Sequence, residues 1–338
     1  MKPELRGGRR SPAALLAFAV LGVFALLGAT PATAQTKVTA KFSSIVPDNH
    51  PIHMGLLRFA SLVAQRTNGS VEIKIFPSGQ LGGEVETAEG IKLGSIEGGV
   101  ITTSVLVNWV PEVQVIDLPF VFRNDDHALA AYGLLTERLA PKFTPQGFRV
   151  LGMTLSGVRN LISTFPIQTV ADVRGKKMRV IQSPLHVEIW KLVGANPTPI
   201  PAPEIYSALQ TKVVDFMDNP KTNYLSFKWY EVAKNFTELG HIYSVIAFTF
   251  SERWWGRLNA EQKAAVQRSV NDVVPMIHHL LSQNDDIALA KTVELGSTVF
   301  VIKDREPWRK LMAPIWDDFQ KKVPEGKALI DAIGALKD

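Results

Sequence analysis

The chain of 338 residues contains no cysteine. That excludes disulfides, thiol nucleophiles and thiolate-held zinc or iron–sulfur centres. Metal-binding spacing is missing as well. The histidines, His50, His53, His127, His186, His241, His278 and His279, form no His-Glu-x-x-His pattern. His50 and His53, three apart at a helix start, are assigned a capping or surface role. There is no Gly-x-Ser-x-Gly elbow, no phosphate-binding loop and no Gly-x-Gly-x-x-Gly turn. Gly79-Gln80-Leu81-Gly82-Gly83 has the wrong spacing and reads as a strand-to-helix turn. Nor is there an internal repeat, a low-complexity tract or a basic run interleaved with aromatics, which argues against nucleic acid as a partner. Nothing points to a catalytic residue, a metal or a cofactor, so the chain is not read as an enzyme.

What is present begins with a leader. Lys2, Arg6, Arg9 and Arg10 precede an apolar run from Ala13 to about Ala29, and Pro31-Ala32-Thr33-Ala34 follows. Basic start, short apolar stretch and Ala-x-Ala site predict a secretory signal peptide over residues 1–34, cleaved after about Ala34, and a periplasmic mature protein. The run is shorter than the roughly 20 residues a membrane span needs. Arg9-Arg10 lacks a Phe-Leu-Lys-like continuation, which favours the general export route over the twin-arginine one. The formal charge of +5 then falls to +2, because four basic residues and Glu4 leave with the leader. No second long apolar segment occurs.

The remaining chain alternates strand-like and helix-like segments, the pattern of an α/β protein. Strands are expected at 38–42, 71–76, 98–102, 113–116, 148–153, 177–181, 198–200 and 242–250. Helices are expected at 51–65, with Asp48 or Asn49 as cap, and at 84–93, 125–137, 185–193, 203–211 and 221–232. From Asn259 to about Leu295 the pattern stays helical, with Asn259 and Glu261-Gln262 marking the start and Pro275 expected to kink the middle. A helix that long suggests an element spanning two lobes.

Several segments, in consistent order, resemble the extracytoplasmic solute-binding subunit of tripartite ATP-independent periplasmic (TRAP) transporters, the DctP family. They include Pro47-Asp48-Asn49-His50-Pro51, Phe76-Pro77-Ser78-Gly79-Gln80-Leu81-Gly82, and Asp117-Leu118-Pro119-Phe120-Val121-Phe122. Gly157-Val158-Arg159-Asn160 and Val173-Arg174-Gly175-Lys176-Lys177-Met178-Arg179-Val180 match the family's two arginine-bearing stretches. Pro197-Thr198-Pro199, Glu204 to Thr211, Val214 to Pro220 and Trp229 to Lys234 complete the set. The resemblance implies a two-lobed α/β binding protein with mixed sheets, crossing hinge strands and a long kinked helix spanning both lobes. Lobe I is expected over 35–156 plus about 245–285, and lobe II over 157–244 plus about 286–338. It further implies a receptor that closes over a small organic carboxylate and delivers it to small and large integral membrane subunits, with no cofactor.

By the same resemblance Arg179 grips the ligand carboxylate, as a planar guanidinium can with two parallel N–H bonds. Read alone, it is the polar member of an alternating strand. Arg159 is a second ligand-side arginine or a structural ion pair near the hinge. Asn219 is an amide contact or a turn residue before Pro220. Thr102 and Thr103, with Ser104, face the ligand or cap a strand end. Trp109, Glu84 and Tyr243 are assigned to core or surface. The chain departs from the family's Asp-Gly-Gln-Glu-Asn-Pro, which appears here as Asp215-Phe216-Met217-Asp218-Asn219-Pro220. Phe216 is placed at the ligand site on that account, and an acid with a larger or partly apolar body, such as an aromatic or branched oxo-acid, is expected. The alternatives are a binding protein of another transport system, or a periplasmic hydrolase or isomerase.

Overall fold

The computed structural model describes residues 37–337 together with Met1, Pro3 and Glu4. The rest of the leader and its cleavage site lie outside the described residues. The order is β1 (Val38–Ser43), α1 (Pro51–Arg66), β2 (Val71–Phe76), α2 (Glu84–Leu93), β3 (Gly98–Thr102), α3 (Asp125–Phe143), β4 (Phe148–Ser163), β5 (Lys177–Val180), α4 (Pro184–Val193), β6 (Asn196–Pro199), α5 (Ile205–Gln210), β7 (Phe216–Asn219), α6 (Lys221–Ser226), β8 (Asn235–Ser251), α7 (Ala260–Glu294) and β9 (Thr298–Val301), closed by α8 (Glu306–Met312), α9 (Pro314–Lys322) and α10 (Gly326–Gly334).

The strands run β2-β1-β3-β8-β4-β7-β5-β6, with β9 on β8. β1 pairs in parallel with β2 and β3, and β5 in parallel with β6 and β7. β4 and β8 are 16 and 17 residues long and antiparallel, and they belong to both groups. One end of β8, Ile246 to Phe250, pairs with β3; its other end, Asn235 to Glu238, pairs with β9. β4 meets β7 only over Asn160 to Ser163. The sheet is therefore two halves joined by two crossing strands, the two-lobed mixed α/β architecture the resemblance implied. The β4–β8 register shifts at Val150/Gly152, Leu155/Gly157 and Arg159/Leu161. Such bulges bend a strand. At the middle one Gly157 takes φ +118°, and a Cβ there would lie 2.6 Å from Pro220. Backbone freedom and lack of bulk are both required.

One core packs Phe42, Phe59, Phe248, Phe250 and Trp254 under α1 and α7; another packs Tyr224, Trp229, Phe236 and Met217 in the other half. α7, 35 residues with Pro275 inside it, packs on α1, β4 and α6 and so touches both halves. Its start is the Asn259/Gln262 capping box, each side chain taking the other's backbone N–H.

Four expectations change. The cap of α1 is neither Asp48 nor Asn49 but His50, which bears out its capping assignment: its ring accepts the Ile52 N–H. Residues 111–117 form a 3-10 helix rather than a strand. Val113, Val115 and Ile116 are all buried, and so short an apolar run has no periodicity to separate strand from buried helix. The helix expected to reach Val232 stops at Ser226, where Lys228 adopts left-handed φ 59°. β4 and β8 extend well past the apolar stretches that signalled them. Bulges absorb Gly157 and Arg159 without ending β4, so their polarity did not mark a strand end.

Candidate functional site

The carboxyl ends of β1, β3, β5 and β7 converge, the place where open α/β sheets leave a crevice. The cavity there is bounded by Ser44 to Val46 after β1, Thr102 ending β3, Ile181 after β5 and Asn219 ending β7. It encloses about 530 Å³ of empty space, part of it open to solvent. Ser156, Ser244 and Asn223 add polar groups, and Ile52, Val100, Phe227, Trp229 and Ile246 apolar ones.

Strand alternation delivers the arginine. Met178 and Val180 of β5 fill one core, so Arg179 points to the opposite face, into the cavity. It is 2% exposed. Its Nε donates to the Ile200 carbonyl at 2.8 Å, and among the described residues no carboxylate pairs with it. Burial, then the like charge of Arg159, lowers its pKa to about 9, against weaker opposition from Asp218 and Glu84. It remains protonated at neutral pH, a buried cation without a counter-ion.

Arg159, from β4, is committed. Its Nε and Nη2 meet Asp218 Oδ2 and Oδ1 at 2.7 and 2.8 Å, and Nη2 also reaches the Asp218 carbonyl at 2.7 Å. His241 Nε2 lies 3.1 Å from Asp218 Oδ2. Burial alone would raise the Asp218 pKa; the charge and hydrogen bonds of Arg159, with His241, outweigh it and hold the carboxyl well below the usual range. Burial lowers the His241 pKa, so a neutral ring donates this bond. Opposite stands Glu84, the first residue of α2. Its Oε1 accepts the Thr102 N–H at 2.6 Å, and burial pushes its pKa up.

The structure thus brings Arg179, Arg159, Asn219 and Thr102 to one cavity and leaves two candidates outside it. Thr103 is buried with its hydroxyl on the Val245 carbonyl. Phe216 is fully buried, edge-on to Trp190 and Phe165. Met217 points into the other core with Ile162 and Trp229. The departure at Phe216-Met217 therefore acts on packing, and its link to ligand size loses its footing. Phe216→Leu is expected to cost about 1–2 kcal/mol in urea unfolding and to leave ligand preference unchanged; an altered preference would return Phe216 to the site. Trp109 and Tyr243 pack in the core as expected, whereas Glu84 lines the cavity. Its signal was thin, an acidic residue opening a helix after Gly82-Gly83, which reads equally as a partner for the helix dipole. Asn223 and Asp218 were missed, and Asn223 had only its four-residue offset from Asn219 to mark it.

The family model described as bacterial extracellular solute-binding protein, family 7 (DctP), matches residues 42–322. The chain belongs to this family. Its members are extracytoplasmic receptors that serve transport rather than catalysis. A solute-binding protein of Verminephrobacter eiseniae is 30% identical over 304 residues, covering 89% of this chain and 90% of the relative. Among solved structures, a TRAP periplasmic solute-binding protein of Sulfurospirillum deleyianum with bound succinate superimposes with a TM-score of 0.84 at 31% identity, covering 89% of this chain and all of that one. One from Desulfovibrio salexigens with bound orotic acid gives 0.84 at 30% identity, covering 88% and 98%.

Proposed function

We propose that this protein captures a small organic monocarboxylate between its two lobes, closes over it and passes it to the small and large membrane subunits of a TRAP transporter. One observation carries the reading: the buried guanidinium of Arg179, at the cavity wall, with no carboxylate of its own among the described residues. A buried charge is costly unless paired, and a planar fork is suited to a carboxylate in a site closed to water. Among the described residues that line the cavity, a second ligand carboxylate would find no free cation, because Arg159 is already bound to Asp218. The serines and asparagines suit hydroxyl or oxo groups, and Ile52, Phe227 and Trp229 suit an apolar part of the ligand body.

The lobes of this reading are 35–156 with about 245–285, and 157–244 with about 286–338. The register shift at Leu155/Gly157 supports that division. Export through a leader cleaved after about Ala34 completes it.

The test is a thermal-shift screen of unfolded and refolded protein, so that copurified ligand is removed, against orotate, pantoate, D-galacturonate and succinate. Micromolar binding corresponds to about 8 kcal/mol, and ligand at 100 times Kd adds about 2.7 kcal/mol of stability. Stabilisation by succinate alone would reject the monocarboxylate.

A further inference from the structure

We propose that His50, which does not line the cavity, is a positioning residue that fixes the hydrogen-bonding polarity of Asn219 through Asn223. The inference rests on the carboxylate reading above and adds to it how the amide beside Arg179 is held.

The chain of bonds starts from a backbone group whose direction is not in question. The Ile52 N–H donates to His50 Nδ1 at 3.1 Å, as a helix cap requires. A neutral imidazole that accepts at Nδ1 carries its proton on Nε2. Nε2 lies 2.8 Å from Asn223 Oδ1, so the ring donates there. Asn223 must then offer its Nδ2 on the other side, and this donates to Asn219 Oδ1 at 2.8 Å. With Oδ1 occupied, Asn219 turns its NH2 to the cavity that it lines with Arg179. An amide's oxygen and nitrogen have nearly the same shape, so nothing steric chooses between its two orientations. The choice is passed from the α1 cap through two side chains. Reversed, it would set an oxygen against the ligand carboxylate.

The chain also crosses the molecule. His50 caps α1, on the β2-β1-β3 half, and Asn223 lies on α6, beyond β7 of the other half. The His50–Asn223 bond therefore exists only while the two halves are together. The groups facing His50 do not favour a charged ring: His53 follows on the same helix, Asn223 is neutral, and Asp48, exposed, is 4.0 Å from His53. Full burial lowers the ring's pKa to about 4, so it stays neutral and the polarity holds through the neutral range.

His50→Asn separates positioning from capping, because asparagine is a good N-cap but its short amide does not place a donor where Nε2 stands. The probe is the tightest binder on the refolded wild type among orotate, pantoate, D-galacturonate and succinate, followed by titration calorimetry. We expect His50→Asn to bind 10- to 100-fold more weakly at nearly unchanged Tm, Asn223→Leu to lose a similar factor, and the double variant to lose no more than Asn223→Leu alone. Residues that act through one another are non-additive in this way. Wild-type affinity in His50→Asn, or losses that simply multiply in the double variant, would overturn the relay and leave the carboxylate reading intact. If no acid binds the wild type, that reading fails instead. The relay is then decided by ¹⁵N NMR of the His50 ring, where the Nε2-protonated tautomer supports it and the Nδ1-protonated tautomer overturns it.

Discussion

Arg179→Met is expected to give a protein that no longer captures its acid yet unfolds at a higher temperature than ligand-free wild type. Both effects have one origin. The guanidinium is 2% exposed, and among the described residues its single bond runs from Nε to the Ile200 carbonyl. Desolvating an ion costs several kcal/mol, and replacing a buried charge by an apolar side chain of similar volume is often stabilising. Loss of the Ile200 bond offsets about 1 kcal/mol, leaving a gain of about 1–3 kcal/mol. The ligand carboxylate supplies the missing counter-charge in the wild type, so removing Arg179 should weaken binding by about 2–5 kcal/mol, roughly 30- to 5000-fold. Arg179→Lys keeps the charge but loses the two-pronged geometry, and should fall between. Calorimetric titration and thermal unfolding of the same refolded samples read the two effects together. Wild-type affinity in Arg179→Met would mean the carboxylate binds elsewhere. A lower Tm without ligand would mean that the arginine is a structural element.

α7 was legible because its start is local chemistry, the Asn259/Gln262 box, and because a helical pattern of that length has no strand-like competitor. The side on which Arg179 emerges was legible too, since Lys177 to Ile181 alternates and alternation has only two outcomes. β7 was not. Phe216 and Asp218 face one core, Met217 and Asn219 the other side, and every residue of the strand is buried. A strand covered on both faces shows no in–out pattern. Phe216 was expected at the ligand from the motif departure alone, with no alternation to place it on the other face, and Asp218 was given no role. The partners of Asp218 lie 59 residues back, at Arg159, and 23 residues on, at His241. Such a cluster is a product of the β4–β7–β8 arrangement, and no local spacing announces it. The same holds for His50 and Asn223, which are 173 residues apart.

Asp218 sets up the largest expected effect on stability. Asp218→Asn keeps the shape of the side chain and strips the charge that balances Arg159, whose own side chain is 3% exposed. Breaking a buried pair by removing one partner typically costs about 3–5 kcal/mol, because the remaining ion is left desolvated. At about 2–4 °C per kcal/mol for a chain of this size, Tm should drop by roughly 10 °C. Arg159→Met with Asp218→Leu removes both charges and should recover most of that loss, which separates an uncompensated ion from mere lost packing. The pH dependence carries the same signature. The Asp218 pKa in the folded protein lies well below its ordinary 3.8, so its contribution is present above that value and is lost as pH falls below it. The wild type should therefore lose stability in strong acid through a component that Asp218→Asn lacks, and the two unfolding curves should approach each other as pH falls. Urea unfolding of the three proteins between neutral and strongly acid pH measures this directly. An Asp218→Asn variant within about 1 kcal/mol of wild type at pH 7 would show that Arg159 has another counter-charge. Arg159 would then be free to face the ligand, and a second carboxylate would regain its place in the cavity.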